Sequence, residues 1–97
     1  MRNTKDKRIP NNLRRCRKVR GFTQKRVAVI LGLKSTAVIS RWEKGLCLPE
    51  TSNLGRLAGI YRTTADALLR EYFQELHREM IRKEEMVTKS IIDAQQA

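Results

Sequence analysis

The chain has few of the residues that build disulfide scaffolds, metal sites or membrane spans. Its two cysteines, Cys16 and Cys47, have no further Cys or His at metal-ligand spacing, so neither a disulfide framework nor a metal site is indicated. No apolar run approaches the roughly 18 residues of a membrane-spanning helix. The basic N-terminus is not followed by the apolar stretch of a signal peptide. We therefore expect a cytoplasmic protein without a metal, a cofactor or a membrane partner.

Aromatic and catalytic side chains are also scarce. One Trp, two Tyr and two Phe are few for a protein that stacks single-stranded RNA bases on exposed rings. The single histidine, His77, has neither a nucleophile nor a second metal ligand near it in the sequence. We therefore expect that the protein is not an enzyme.

Positive charge is abundant, and most of it lies near the N-terminus. The 97 residues, enough for one small domain, carry 21 Lys and Arg against 10 Asp and Glu, a formal charge of +11. Residues 1–26 hold a net +10, residues 27–61 hold +2 and residues 62–97 hold −1. This asymmetry indicates one docking face for a polyanion, with nucleic acid as the leading candidate, and a different role for the C-terminal part.

Apolar residues recur at helical spacing, and no segment alternates as a strand does. Asn11 or Asn12 precedes a first predicted helix, which Gly21 stops. Thr23 caps a second helix, which Gly32 ends.

Three further helices are expected. The third begins after Ser35 or Thr36, both good caps, and ends at Gly45. The fourth covers residues 50–61. The fifth runs from residue 65 to about residue 93 without Pro or Gly, and at roughly 30 residues it would extend about 45 Å.

The third predicted helix has two faces of different character. At about 100° per residue, Ile39, Trp42, Glu43 and Leu46 fall on one side. The opposite side carries small and polar residues: Ala37, Ser40, Arg41 and Lys44. We expect one face to pack and the other to contact a ligand.

Three blocks of residues at fixed spacing carry a family resemblance. They are Thr23-Gln24 with Ala28 and Gly32, the run Ile39-Ser40-Arg41-Trp42-Glu43-Lys44-Gly45 with Pro49, and Leu54 with Leu57-Ala58. In this arrangement residues 11–70 resemble the phage-repressor-type (Cro/XRE) helix-turn-helix family. The resemblance implies an all-α fold, a five-helix lambda-repressor-like DNA-binding domain with an extended C-terminal helix. Residues 1–10 would then form a flexible basic arm and residues 71–97 a C-terminal helical extension.

The resemblance also implies roles for individual side chains. The third helix would be the recognition helix in the major groove, with base contacts from Thr36, Ala37, Ser40 and Arg41. Gln24 resembles the family residue that bonds a DNA phosphate, and further phosphate contacts are expected from the cations Lys25, Arg26, Lys44 and Arg14. Arg17 and Glu43 resemble an ion pair that ties the first helix to the recognition helix.

Two departures from the family pattern bear on these roles. The stretch between Gly32 and Ile39 is one residue longer than the commonest spacing, so the register of Thr36 and Ala37 is less defined than that of Arg41. The second departure is at positions 25 and 26, where Lys and Arg stand in place of frequent acidic residues. Cations in a first helical turn oppose the macrodipole by roughly 0.3–1 kcal/mol each. A phosphate partner would account for them, and tolerated surface charge is the alternative.

The predicted C-terminal helix carries a seven-residue apolar repeat that suits a helix–helix contact. The residues expected in a dimerisation seam are Leu69, Phe73, Leu76, Met80 and Val87. Lys83 and Ser90 interrupt the repeat, which favours a short contact over a long coiled coil. The alternative is that residues 68–73 pack on the domain's own core.

These observations predict a sequence-specific transcriptional regulator, a repressor in the leading interpretation, that binds double-stranded DNA as a homodimer. The alternative is an antitoxin-type or adaptor protein. Such a protein would bind DNA through residues 11–70 and a partner protein through the C-terminal helix.

Overall fold

The computed structural model describes residues 8–96, and every regular element in that range is helical. The helices are α1 (Leu13–Val19), α2 (Gln24–Leu31), α3 (Ala37–Glu43), α4 (Thr51–Tyr61), α5 (Ala65–Leu68) and α6 (Arg70–Gln96). The all-α class and the long C-terminal helix are confirmed. In the described part of the chain, no helix combines the length and apolar character that crossing a membrane requires.

Capping side chains fix the helix bounds. The Thr23 hydroxyl oxygen accepts a hydrogen bond from the backbone N–H of Arg26 at 3.0 Å, and Gly32 ends α2 in the left-handed conformation. The Thr64 hydroxyl oxygen caps α5 in the same way, 3.1 Å from the backbone nitrogen of Ala67. These local interactions set the length of α2 and the position of the turn that leads to α3.

The core lies where α1 to α5 meet. Leu13, Val27, Ile39, Leu57 and Leu68, one residue from each helix, are each at most 2% exposed. Burying a side chain of this size contributes about 1.5–3 kcal/mol. The short helices therefore stabilise one another, since helices of this length are marginal in isolation.

The predicted fifth helix is divided, which corrects the expectation of one uninterrupted helix from residue 65. Leu69 leaves helical geometry (φ −123°, ψ 27°), so α5 ends just before it and α6 begins just after it. Successive side chains of a straight helix point about 100° apart. Leu68 and Leu69 are nevertheless both buried, at 0% and 3% exposure. Packing on the core therefore breaks a stretch that contains neither Pro nor Gly.

Leu46 is more exposed than the sequence pattern indicated, and Ile30 is exposed as well. Leu46, which was expected on the packed face of the third helix, is 57% exposed. The reason is that α3 ends at Glu43, so helical spacing does not extend to Leu46. Ile30 on α2 is 52% exposed.

The chain before α1 rests against the turn after α3. The N–H of Ile9 donates to the carbonyl oxygen of Gly45 at 2.8 Å, and Ile9 and Pro10 are half-buried. This corrects the boundary of the expected flexible arm at residues 1–10, because its last two residues are held by the domain. The arm's residues 1–7 lie outside the described residues.

We expect Gly45→Ala to destabilise the fold more than the matched control Gly32→Ala. Both glycines have a φ of 75°, a conformation that costs an L-residue about 1–2 kcal/mol. Among residues 8–96, an added Cβ at Gly32 would meet no atom within 4 Å, whereas at Gly45 it would lie 2.8 Å from the Ile9 nitrogen. Overpacking should cost Gly45→Ala about 1–3 kcal/mol more. Urea denaturation measures the difference, and equal losses would contradict the contact with Ile9.

Candidate nucleic-acid interface

A buried cluster of polar side chains joins α1, α2 and α3. The Arg17 guanidinium donates twice to the Glu43 carboxylate, from Nε to Oε2 at 2.7 Å and from Nη2 to Oε1 at 3.1 Å. From α2, Nε2 of Gln24 donates to Oε1 of Glu43 at 3.0 Å. The side chains of Arg17 and Glu43 are 10% and 4% exposed. The ion pair that the family resemblance implied is therefore present, and it ties α1 to α3.

The surroundings of the pair satisfy its remaining polar groups. Nη1 of Arg17 donates to the carbonyl oxygen of Phe22 at 2.8 Å, in the turn between α1 and α2. The hydrogen bond to Glu43 raises the pKa of Arg17, although desolvation acts in the opposite direction. Burial raises the pKa of Tyr61 to about 12, and the charge of Glu43 adds to this shift. At neutral pH the site therefore holds one positive and one negative charge beside a neutral phenol.

Asn11 makes a second connection to α3, which sequence reasoning missed. Its Nδ2 donates to the carbonyl oxygens of Ile9 at 3.0 Å and Trp42 at 3.2 Å, and its Oδ1 accepts from the N–H of Leu13 at 3.1 Å. The sequence indicated only a helix cap here, because a cap is a local signal. A contact with a residue 31 positions away leaves no periodic pattern.

The predicted base contacts lie on the solvent side of α3. Thr36 is the N-cap residue, and the Ser35 hydroxyl oxygen accepts from the N–H of Ala37 at 3.3 Å. Ile39 and Trp42, at 1% and 5% exposure, bury the other side of the helix. All four predicted residues reach the surface: Ala37 and Arg41 are exposed, and Thr36 and Ser40 are half-buried.

The first turn of α2 borders this surface. Gln24 is half-buried and already bonded to Glu43, so it braces α3, and its contact with a phosphate stays a prediction. Lys25 and Arg26 are exposed. The Arg26 guanidinium lies 5.1 Å from the centre of the Phe22 ring, a cation–π contact that a phosphate would have to compete with.

The remaining predicted phosphate contacts are also on the surface. Lys44, the C-cap residue of α3, and Arg14 on α1 are exposed. Arg14 lies with Arg15 and Lys18 along a shallow groove that reaches Glu43. Arg15 and Lys18 were missed as candidates, although Lys18 follows Arg14 by four residues and therefore shares its side of the helix.

The predicted dimerisation seam needs one correction. Leu69 is 3% exposed within the chain's own core, so the prediction that it contacts a partner helix is wrong. Phe73 is half-buried against the same core. Leu76, Met80 and Val87 are 36%, 52% and 58% exposed along α6. These three residues keep the spacing that a helix–helix contact requires, and we refer to them as the seam.

We predict that Glu43→Ala lowers the free energy of unfolding by about 3–5 kcal/mol, because it leaves the buried Arg17 charge unpaired. The double variant Arg17→Ala, Glu43→Ala should cost little more, since the two losses describe one interaction. Urea denaturation of the single and double variants measures this coupling.

The control for this cycle is Glu79→Ala. Its exposed pair with Lys83, at 3.4 Å, should contribute at most about 1 kcal/mol. Additive losses at positions 17 and 43 would contradict the coupling.

Comparison with known protein families agrees with this geometry. Residues 11–71 match the family described as "Helix-turn-helix domain". The match begins just before α1 and ends in the first turn of α6, so it includes every side chain of the interface described above. No curated protein and no solved structure matches the chain. Since the matched region exceeds half of the 97 residues, the chain belongs to the helix-turn-helix domain family.

Proposed function

We propose that this protein is a cytoplasmic, sequence-specific regulator of transcription that binds double-stranded DNA as a homodimer and has no enzymatic activity. Membership of the helix-turn-helix family supports DNA binding. The proposal rests mainly on the two sides of α3. Arg41 is exposed on the solvent side, and the opposite side is buried. A dimer bound to DNA excludes other proteins from the same stretch of DNA. Repression can act through this exclusion alone and needs no surface for contacting another protein.

Arg41 is the principal base-reading residue in this proposal. A guanidinium can donate two parallel hydrogen bonds to O6 and N7 of guanine, worth about 1–3 kcal/mol of discrimination. Ala37 offers a methyl group to thymine, and the hydroxyl groups of Thr36 and Ser40 can bond to base edges. Burial of Trp42 and the bonds of Glu43 keep α3 from rotating about its axis. The solvent side of α3 would therefore stay directed toward the major groove of the DNA.

Phosphate contacts would position the duplex on this face. The N–H groups and positive dipole end at the start of α2 favour an anion there. Lys25 on α2, Lys44 at the end of α3 and Arg14 on α1 add exposed positive charges. Residues 1–26 hold +10 of the total charge of +11. We therefore expect a large, sequence-independent and salt-dependent share of the binding free energy.

The exposed length of α6 supports the homodimer. At 27 residues it is about 40 Å long, and it presents the seam of Leu76, Met80 and Val87 to solvent. Residues 62–97 carry a net −1, so two copies would repel each other less here than at the N-terminal part. Two domains related by a two-fold axis would read a palindromic site.

An antitoxin-type or adaptor protein is the second candidate. In that case the exposed apolar residues of α6 would contact a different protein while the domain binds DNA. Co-purification of a second small protein, lost on removal of residues 74–97, would favour this candidate.

We predict that Arg41→Ala weakens binding to a duplex selected from a random library and relaxes base preference at one position per half-site. Lys25→Ala should weaken binding to all duplexes alike. It should also reduce, by about 1, the steepness with which the logarithm of the binding constant falls with the logarithm of the salt concentration. Arg82→Ala, an exposed change on α6, is the control and should alter neither quantity. Fluorescence anisotropy over a range of salt concentrations measures both. Unchanged affinity and preference for Arg41→Ala would show that the proposed register of α3 is wrong.

Removal of residues 74–97 should convert the dimer into a monomer and weaken binding to the selected palindrome, because the seam is lost. Multi-angle light scattering without DNA compares the intact and shortened chains at about tens of micromolar, a range in which micromolar dimers persist. A monomeric intact chain at that concentration would contradict the homodimer.

A further inference from the structure

α6 carries a second row of exposed residues, on a different side of the helix from the seam. Ile81 and Ile92, 53% and 45% exposed, line a shallow groove along the helix together with Glu84, Glu85, Thr88 and Lys89. Ile81, Ile92 and Glu85 lie about 100–140° around the helix axis from Met80 of the seam, whereas Glu84 lies about 40° from Met80 and borders the seam. A two-helix contact through the seam therefore leaves these isoleucines in water. We refer to Ile81, Glu84, Glu85 and Ile92 as the acidic stripe.

A groove on the helix-turn-helix domain has the complementary properties. Phe22, Ile30 and Ile60 provide its apolar surface, and Arg20, Arg56 and Arg62 surround it. Its volume is about 420 Å³. These six residues come from the end of α1, from α2 and its preceding turn, and from α4 and its C-cap. We refer to them as the arginine groove.

The charges of the arginine groove are uncompensated. Within residues 8–96, no acidic side chain lines the groove, and none of its three arginines forms an ion pair. Arg20 is held in place by a bond from Nε to the carbonyl oxygen of Ile60 at 3.3 Å. Arg56 donates from Nη1 to the side-chain oxygen of Asn53 at 3.0 Å. Like charges around an apolar surface favour a partner that is both anionic and apolar.

The apolar surface argues against DNA as the occupant. A phosphate backbone brings no apolar side chains to cover Phe22, Ile30 and Ile60. The groove also lies to one side of the predicted DNA face. Ile30 follows Gln24 by six residues, so it lies about 120° around α2 from the side chain that bonds to α3.

A second copy of this chain can bring the acidic stripe to the groove. The molecule measures 62 Å along its longest axis against 28 and 23 Å across, and α6 accounts for about 40 Å of length. In an antiparallel pair formed through the seam, the C-terminal half of each α6 lies beside the partner's domain. That half carries Glu84, Glu85 and Ile92.

We propose that the acidic stripe of each protomer docks in the arginine groove of the other. Glu84 and Glu85 then face the guanidinium groups, and Ile92 covers the apolar surface. The contact rests on the proposed homodimer and not on DNA binding. Because the groove includes residues of α2, it fixes each domain relative to the dimer axis and thereby sets the distance between the two recognition helices.

Charge reversal on both sides of the contact tests the proposal. The dimer dissociation constant is measured without DNA by sedimentation equilibrium, after circular dichroism has shown that each variant is folded. Arg56→Glu and Glu85→Arg should each weaken the dimer about tenfold or more, and their combination should restore it to within about threefold. The matched control is Arg82→Glu, which makes the same charge change as Arg56→Glu outside the acidic stripe and the seam. It should change the constant less than about threefold.

Any other outcome contradicts the proposed contact, and the pattern of results shows which interaction fails. If the single variants dimerise like the parent, or if their combination fails to restore the dimer, the groove contact is contradicted. The homodimer and DNA binding are not affected by that result. A monomeric parent removes the homodimer and this contact together, while duplex binding is measured separately. Weakened duplex binding by Arg56→Glu with an unchanged dimer would assign the groove to DNA.

Discussion

The Glu43 carboxylate accepts hydrogen bonds from Arg17 on α1 and Gln24 on α2 while it belongs to α3, so three helices meet at one buried charge. A buried carboxylate is tolerated only when its partners are in place, and removal of one partner is far more costly than the net worth of the pair. The relative orientation of these short helices therefore depends on this interaction more than on helix propensity. Asn11 adds a bond to the C-terminal end of α3, so α3 is held at its side and at its end.

The proposed function follows from this arrangement. Since Ile39 and Trp42 are buried and Glu43 is bonded, the orientation of α3 is fixed before any ligand binds, and Arg41 is presented on the opposite side. Contacts that are already organised cost less conformational entropy on binding. The exposed cations of α1 and α2 would supply affinity without sequence preference, whereas α3 would supply the preference. α6 takes no part in this surface, and its apolar stripes suit it for assembly.

The sequence predicted most of what depends on local chemistry. Thr23 and Gly32 bound α2 because caps act within one turn. The Arg17–Glu43 pair came from the family resemblance, since nothing in the spacing of residues 26 positions apart indicates a contact. The break at Leu69 could not be predicted, because it arises when core packing overrides a locally favourable helix. The arginine groove could not be predicted from the sequence either, since it forms only when α2 and α4 pack together.

In the proposed function, a duplex is held by α3 and the start of α2, in the orientation that Glu43 fixes. Amide chemical-shift mapping by NMR, with a selected palindromic duplex added to the intact protein, tests it most directly. We predict that the largest changes fall at residues 24–26 and 36–44, with smaller changes along the basic side of α1 and almost none in α4. Largest changes in α4 or in residues 81–92 would contradict it.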